Sequence, residues 1–316
     1  MVLGVRPVVP SRLTTRLFSH GPGTSRDIHS RNRLGAYVAL TKPRIIELLL
    51  VTTIPTMVLA KGGWPAISLM IITLVGGTLA AGGANAINMY VDRDIDRLML
   101  RTQGRPLVTG VITPRSALIF AISLEIFAFA VLATGANMLA ACLALSATLF
   151  YVFVYSIWLK RTSRHNIVIG GAAGAVPVLV GWAAVTNSLS WTPMVLFLVI
   201  FFWTPPHFWA LAIRHADDYR AAGVPMLPVV ASLRETVRSM VAYSVVLVLT
   251  TIALIPIAGL GWVYGITALV FGVAFLIATL RLGRDPSEAR SMRLFSFSIS
   301  YVTVLFLALT VDVLLR

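Results

Sequence analysis

The amino-acid sequence predicts an all-α integral membrane protein with nine transmembrane helices. Of its 316 residues, 58% are hydrophobic and only 12% are charged, and the mean hydropathy is +0.87. Nine apolar segments are long enough to cross a bilayer, and Lys and Arg gather in alternate loops between them. Soluble domains carry about 25% charged residues, so an ordinary soluble enzyme is excluded. The abundance of apolar side chains excludes a disordered chain.

The nine segments account for most of the chain. In order they cover residues 44–61, 66–91, 115–134, 137–158, 166–186, 193–213, 237–257, 260–280 and 294–315. Most reach the ~20 residues that span a ~30 Å hydrocarbon layer. None alternates between apolar and polar residues as barrel strands do. Because backbone amides in lipid must be paired internally, each segment is predicted to be a helix.

The loops predict the orientation. The loops after the second, fourth, sixth and eighth segments contain nearly all the cations between segments: Arg93, Arg97, Arg101, Arg105, Arg115; Lys160, Arg161, Arg164; Arg214, Arg220, Arg234, Arg238; Arg281, Arg284, Arg290, Arg293. By the positive-inside rule the N-terminus is cytoplasmic and the C-terminus lies outside. All Lys and Arg residues except Lys61 and Arg316 then fall on the inner side. The net charge of +14 is therefore interpreted as membrane topology, and no nucleic-acid partner is expected.

Residues 1–36 differ from the rest of the chain. They are rich in Arg and Ser and contain one acid, Asp27. We predict a disordered basic tail that lies on anionic lipid headgroups, with a mitochondrial transit peptide as the alternative. Residues 37–316 are predicted to form one membrane domain. A bacterial inner membrane is favoured over the mitochondrial inner membrane.

The second segment ends in a strip of oxygen ligands. Asn88, Asp92 and Asp96 are spaced i, i+4, i+8 and fall within about 80° of one helix face. Hard oxygen ligands suit Mg²⁺, which completes its octahedron with water and phosphate oxygens. Asp94 is predicted to point away and to pair with an arginine. The alternative interpretation is an acidic helix end that balances Arg93 and neighbouring cations.

Basic residues follow this strip. Arg101 and Arg105 come directly downstream, and Lys160 and Arg161 follow the fourth segment. Guanidinium groups bind phosphate bidentately, so Mg²⁺ ligands beside arginines predict a diphosphate site. The alternative is that these cations only orient the chain.

The sixth segment carries a second group of polar residues. Pro205 and Pro206 are predicted to kink or break the helix. His207, Arg214 and Asp218 share one face if the helix continues. A histidine within a membrane helix is a functional candidate, and the alternative is a neutral imidazole bonded to a carbonyl that the prolines free.

Together these motifs resemble the UbiA superfamily of intramembrane prenyltransferases, and more closely its heme O synthase (protoheme IX farnesyltransferase) family. The resemblance covers residues 36–316. Besides the Asn88, Asp92 and Asp96 strip, it is carried by residues 40–44 (LTKPR), 92–97 (DRDIDR), 105–107 (RPL), 158–161 (WLKR), 166–174 (NIVIGGAAG), 202–207 (FWTPPH) and 223–228 (GVPMLP). The superfamily's second D-x-x-x-D motif is absent, because Ala221 and Ala222 stand four residues after Asp217 and Asp218.

The resemblance implies nine helices around a central cavity and a Mg²⁺-dependent reaction in the bilayer. Farnesyl diphosphate, heme b and water would give heme o and diphosphate, for heme–copper oxidase biogenesis, with a downstream heme-modifying enzyme as a partner. It implies catalytic roles for Asn88, Asp92, Asp96, Asp217 and Asp218, of which Asn88, Asp92, Asp96 and Asp218 hold metal. It implies diphosphate binding by Lys42, Arg44, Arg101, Arg105, Lys160, Arg161 and Arg214, and heme binding by His207.

Three other functions remain open at this stage. A related prenyltransferase could act on a quinone or chlorophyll precursor and would need neither His207 nor heme. A secondary transporter would place its polar residues near the bilayer midplane on broken helices, and only the Pro205–Pro206 pair favours it. A structural or assembly protein would not need the Asn/Asp strip.

Overall fold

The structure, a computed structural model, describes the backbone of residues 25–285 and 287–316 and the side chains of residues 33–43, 51–285 and 287–316. Within these residues the regular secondary structure is helical, and there is no strand. Its long helices are α1 (Ser25–Thr41), α2 (Pro43–Lys61), α3 (Ile67–Val91), α4 (Pro114–Gly135), α5 (Met138–Thr162), α6 (Asn166–Thr186), α7 (Trp191–Arg214), α8 (Leu233–Ala258), α9 (Trp262–Arg284) and α10 (Glu288–Leu314). Short helices Ala216–Ala221 and Leu227–Val230 follow α7.

Eight of these helices, α3 to α10, are long and apolar enough to cross a membrane. The prediction of an all-α, multi-pass membrane protein is therefore confirmed. Each of the nine predicted segments coincides with one helix, and α2 corresponds to the first of them. The count of nine spans and the orientation of the termini stay predictions.

The helices begin where polar side chains satisfy their first free amides. Thr113 caps α4, Asn137 caps α5, Ser232 caps α8 and Ser287 caps α10, each accepting from a backbone N–H three residues later. Such side chains are favoured at this position because the first amides of a helix lack partners within it. The last helix starts at Glu288, six residues before the predicted apolar segment. Its first turns are polar, so hydropathy alone does not include them in that segment.

Packing places α7 at the centre of the larger half of the bundle. It contacts α6, α8 and α10, while α2 packs against α6 and α10. Its largest buried side chains, Trp203 and Trp209, lie in one core cluster with Tyr264, Phe275 and Tyr301. The other half is built on α3 and α4, which pack closely along their lengths.

The tail departs from the prediction at its C-terminal end. Residues 1–24 lie outside the described residues, but α1 begins at Ser25, so residues 25–36 are helical rather than disordered. Ala36 and Leu40 explain this, because both are buried in a cluster with apolar residues of α3 and α4. In proteins, helical stability comes mainly from such packing of an apolar face.

The proline pair does not break α7. The helix runs without interruption from Trp191 to Arg214, with Pro205 and Pro206 buried inside it. Packing helices and Thr side chains can compensate for prolines in membrane helices, and here Thr204 Oγ1 donates to the Ile200 carbonyl at 2.8 Å. The predicted break is wrong. The interruption instead falls at His215, after which the short helix Ala216–Ala221 begins.

Candidate functional site

One end of the bundle brings together the three loops that the sequence singled out. Lys160, at the end of α5, forms an ion pair with Asp92, which follows α3. The backbone N–H of Leu100 donates to Asp218 Oδ1 at 3.1 Å, across 118 residues of chain. The loops after α3, α5 and α7 therefore meet at the end of the bundle that is predicted to be cytoplasmic.

The centre of this site is the acid pair, Asp92 and Asp96, whose side chains are 0% exposed. Asp92 Oδ2 accepts from Lys160 and from Asn88 Nδ2, the latter at 2.9 Å. Asp96 Oδ2 accepts from Arg105 Nη1 at 2.6 Å. Oδ1 of each carboxylate is buried without a hydrogen-bond partner among the described residues. Buried polar atoms are usually paired, so these two oxygens are free to accept from a ligand or to bind a cation.

The donor chemistry of the acid pair fits Mg²⁺. Its two unpaired oxygens match the one or two carboxylates by which proteins usually bind this ion, the remaining positions going to water and substrate phosphates. Nowhere in the described part of the chain do three or more His, Cys, Asp or Glu residues converge to hold a metal.

Asn88 lies in the site and orients the acid pair. Its Oδ1 accepts from Lys42 Nζ at 2.8 Å, and its Nδ2 donates to Asp92 and to Ser156 Oγ, each at 2.9 Å. In this arrangement the amide of Asn88 is engaged by protein groups on both sides. It fixes Asp92 with one oxygen toward Lys160 and the other unpaired.

Cations surround the acid pair. Lys42 adopts left-handed backbone geometry (φ 53°) between α1 and α2, which brings its side chain to Asn88. Burial and the positive charges of Arg105 and Lys160 lower the pKa of Lys42 to about 7. The predicted partner Arg44 lies where side chains are not described. Arg105 and Lys160 thus contact the acid pair directly, and Lys42 contacts Asn88 beside it.

Arg161 lies at the rim of the site. It makes two 2.7 Å hydrogen bonds to Asp94, which confirms the predicted pairing of Asp94 with an arginine. This contact holds the pKa of Asp94 well below its usual range. Arg161 Nη2 lies 4.0 Å from Asp92 Oδ1, so Arg161 contributes positive charge near the acid pair without donating a hydrogen bond to it.

The second acidic loop contributes Asp218 but not Asp217. Asp218 is 14% exposed and accepts from the Leu100 amide, whereas Asp217 is 97% exposed and pairs with Arg220. Adjacent helical residues point about 100° apart, so only one of the two can face the loop after α3. Asp217 therefore lies apart from the hydrogen bond that joins the two loops, and its catalytic role stays a prediction.

The two remaining predicted arginines, Arg214 and Arg101, also lie in different surroundings. Arg214 Nε lies 3.0 Å from Glu288 Oε1 at the start of α10, and its side chain is half exposed. It pairs with α10 rather than with a residue of the acid pair, and its place in the diphosphate site stays a prediction. The positive charge of Arg101, by contrast, interacts with Tyr219. Burial and, to a smaller extent, the charge of Arg101 lower the pKa of His215. Arg101 thus lies beside the second acidic loop.

A π-helical segment in α5, Phe150–Leu159, supplies Ser156 to the site, a residue that no motif predicted. Hydrogen bonds from i to i+5 widen the helix here, and such segments occur often at functional sites. Ser156 bonds to Asn88, and Lys160 at the end of the segment pairs with Asp92. The rings of Tyr151 and Tyr155 stack with centroids 5.3 Å apart. The negative charge of Asp92 interacts electrostatically with both side chains.

Replacing Gly170 with Ala is expected to reduce turnover about 10- to 100-fold, the scale of a 1 Å misplacement in an active site. A Cβ at Gly170 would lie within 2.9 Å of ring atoms of Tyr155 and would displace the ring. Gly174→Ala is the matched control, one turn further along α6, because a Cβ there meets nothing within 4 Å. Steady-state rates of both variants test this, and equal rates would contradict it.

His207 is buried between α7 and α10, away from the acid pair's hydrogen-bond network. Its ring stacks on Trp203 and Phe295, with centroids 4.2 and 4.5 Å away. Its Nδ1 lies 2.6 Å from Ser298 Oγ, which itself donates to the Phe295 carbonyl. Because the hydroxyl has one proton, Nδ1 of His207 is the donor and Nε2 keeps a lone pair. The imidazole is therefore held by Ser298 rather than by a carbonyl that the prolines free.

Comparison with known proteins agrees with this architecture. The model of the UbiA prenyltransferase family matches residues 49–308. A protoheme IX farnesyltransferase of Pseudarthrobacter chlorophenolicus is 51% identical over 297 residues, covering 92% of this chain and 91% of the relative. A protoheme IX farnesyltransferase of Clavibacter sepedonicus is 53% identical and covers 89% of this chain and 92% of the relative.

Solved structures share the fold at low sequence identity. A digeranylgeranylglyceryl phosphate synthase has a TM-score of 0.75 at 18% identity, covering 90% of this chain and 100% of that one. A UbiA homolog from Archaeoglobus fulgidus bound to GPP and Mg²⁺ has a TM-score of 0.59 at 19% identity, covering 87% and 99%. From the family match, the identity to these relatives and the shared fold, the chain is a member of the UbiA prenyltransferase family.

Proposed function

We propose that this chain transfers the farnesyl group of farnesyl diphosphate to a vinyl group of heme b, with addition of water, giving heme o and diphosphate. The observation that carries the proposal is the buried acid pair with two unpaired oxygens among cations, at one end of an apolar helical bundle. The heme substrate is supported by relatives of about 50% identity that are named protoheme IX farnesyltransferases.

The acid pair and its cations would handle the diphosphate. Asp92 Oδ1 and Asp96 Oδ1 are the oxygens that would hold Mg²⁺, which, when bound, neutralises charge on the leaving diphosphate. As the C1–O bond of the substrate breaks, its electron pair goes to the diphosphate. Lys160 and Arg105 already lie at the acid pair and would stabilise that charge with little rearrangement.

The rest of the reaction takes place on the substrates. The terminal carbon of the heme vinyl group attacks C1 of the allylic cation and forms the new C–C bond. Water then adds to the vinyl carbon next to the ring and releases one proton. The chain's task in this stage is to exclude water until the C–C bond has formed, and the apolar bundle suits that task.

His207 is the proposed axial ligand of the heme iron. Metal-binding histidines usually donate their second ring N–H to a fixed acceptor, which sets the tautomer and the ring orientation. Here Ser298 Oγ takes the Nδ1 proton and leaves the Nε2 lone pair for a metal. Stacking on Trp203 and Phe295 holds the ring in place.

The direct test is an assay of purified protein in lipid nanodiscs with heme b, farnesyl diphosphate and Mg²⁺. We expect heme o by mass spectrometry and release of diphosphate, and we expect both to cease when EDTA removes the metal. Bound heme without heme o would overturn the heme substrate. Prenylation of a quinone precursor instead would support the related prenyltransferase.

Replacing His207 with Ala is expected to change the visible absorption spectrum of bound heme, because the axial ligand sets the electronic state of the iron. His165→Ala is the control, since His165 is exposed at the end of the loop after α5. An unchanged spectrum in His207→Ala, or the same change in both variants, would remove His207 as the ligand.

The position of the acid pair argues against a transporter. Transporter sites lie near the bilayer midplane, on discontinuous helices. Here the acid pair follows the end of α3, and α7 is continuous through its prolines. The bacterial inner membrane as location and a downstream heme-modifying enzyme as partner remain predictions.

A further inference from the structure

The first residue of α6, Asn166, is fully buried and unpaired. Its exposure is 0%, and neither Nδ2 nor Oδ1 has a hydrogen-bond partner in the part of the chain that the structure describes. Buried polar groups are nearly always paired, so an amide with both atoms unpaired requires an explanation. Among the described residues, Asn166 is the one side chain in which two buried polar atoms are unpaired.

The location of Asn166 suggests that explanation. Gly170 lies one turn further along α6, on the same face, and contacts the ring of Tyr155. Asn166 therefore shares the helix face that is turned to Tyr155. Tyr155 itself packs against a cluster that contains Ile95 of the loop after α3 and Tyr219 of the segment after α7, so this face lies beside the place where the two acidic loops meet.

The neighbouring residue supports the same placement. Ile167 is buried in a cluster with Ile95 and Met99 of the loop after α3 and with Tyr219 and Val224 of the segment after α7. The start of α6 is thus packed where those two loops meet. The other carboxylate or amide atoms that are buried and unpaired in the described chain, Oδ1 of the acid pair, lie at the same end of the bundle.

We propose that Asn166 binds the diphosphate of the prenyl substrate, a role that rests on the proposed function. A diphosphate oxygen has no proton and accepts a hydrogen bond, so it pairs with Nδ2. Oδ1 needs a donor, and a water molecule on the metal or the diphosphate provides one. Unlike Lys160 and Arg105, Asn166 carries no charge. It therefore fixes the position of the diphosphate and does not add to the electrostatic attraction between the site and the diphosphate.

The test replaces Asn166 with Leu, which has a similar size and no polar atoms. Without ligand, the variant should unfold at the same or a higher temperature, because no buried amide is left unpaired. Mg²⁺ with inorganic diphosphate should raise the unfolding temperature of the wild type, as ligands of the folded state do, and should raise that of the variant less. The KM for farnesyl diphosphate should rise about tenfold, the effect of one lost hydrogen bond.

A structural role predicts the opposite pattern. Asn166→Leu would then unfold at a lower temperature without ligand and would keep the full shift with Mg²⁺ and diphosphate, which would overturn the inference. His165→Leu is the matched control next to it, exposed and expected to behave as the wild type. If Leu does not fit, Asn166→Ala makes the same comparison, and its full ligand shift would likewise overturn the inference.

The rise in unfolding temperature with Mg²⁺ and diphosphate is measured separately from the formation of heme o. A wild type that shows neither a shift with Mg²⁺ and diphosphate nor heme o contradicts the proposed function, and the inference with it. A wild type that shows both, beside an Asn166→Leu variant with an undiminished shift, contradicts the inference alone.

Discussion

Replacing Asp92 with Asn is expected to reduce heme o formation about 10³-fold, as the loss of one electrostatic stabiliser can do. The variant keeps the size of the side chain but loses the charge that would hold Mg²⁺ through the unpaired Oδ1. It also removes the ion-pair partner of Lys160. Heme binding should persist, since His207 lies between α7 and α10. Product formation, the heme spectrum and the unfolding temperature are measured together.

Asp94→Asn is the matched control. It makes the same chemical change two residues along, but Asp94 is 61% exposed and pairs with Arg161 at the rim. Exposed ion pairs contribute little, so turnover should remain within about threefold of the wild type. If Asp92→Asn keeps its activity, or if both variants lose it equally, Asp92 is not the metal ligand.

Replacing Lys160 with Gln should lower kcat/KM for farnesyl diphosphate about 10²-fold, again the scale of one lost electrostatic contact. Lys160 is 11% exposed and pairs with Asp92, so it lies where the diphosphate charge would develop. Because that charge grows as the C1–O bond breaks, kcat should fall as well as affinity. Rates at saturating and at low substrate separate the two effects.

Two further variants make this result specific. Arg164→Gln removes a cation from the same loop, but Arg164 is half exposed and pairs with Glu235, so its kinetics should stay near those of the wild type. Lys160→Arg keeps the charge and should recover part of the lost rate. Full activity in Lys160→Gln, or an equal loss in Arg164→Gln, would contradict the assignment.

The long helices and the Asn/Asp strip could be predicted from the sequence because both depend on local periodicity. Apolar length alone predicted each span, and i, i+4, i+8 spacing placed Asn88, Asp92 and Asp96 together, with Asp92 and Asp96 buried as one pair. The alternation of cations predicted correctly that the loops after α3 and α5 share a side of the bundle, and Lys160 contacts Asp92 there.

What the sequence did not show depends on contacts between distant helices. Asp217 and Asp218 are adjacent residues of the same type, and they differ in exposure and in the Leu100 amide that Asp218 accepts from, which only the fold determines. The pairing of Arg214 with Glu288 could not be predicted, because Glu288 is on α10 and lies 74 residues further along the chain. The unpaired state of Asn166 is visible only once its neighbours are placed. The one local signal that was available, the proline pair, pointed to a break that packing and Thr204 prevent.

The contact between the Leu100 amide and Asp218 also concerns the order in which the protein is made. It joins residues 118 positions apart, and the Asp92–Lys160 pair joins residues 68 apart. Closing such long loops is slow compared with forming the helices themselves. A nascent chain that has emerged only as far as α6 therefore contains Asp92 and Asp96 but not Asp218, the residue that joins the two acidic loops. The contact between the two acidic loops can form only after α7 and the segment that follows it have been synthesised.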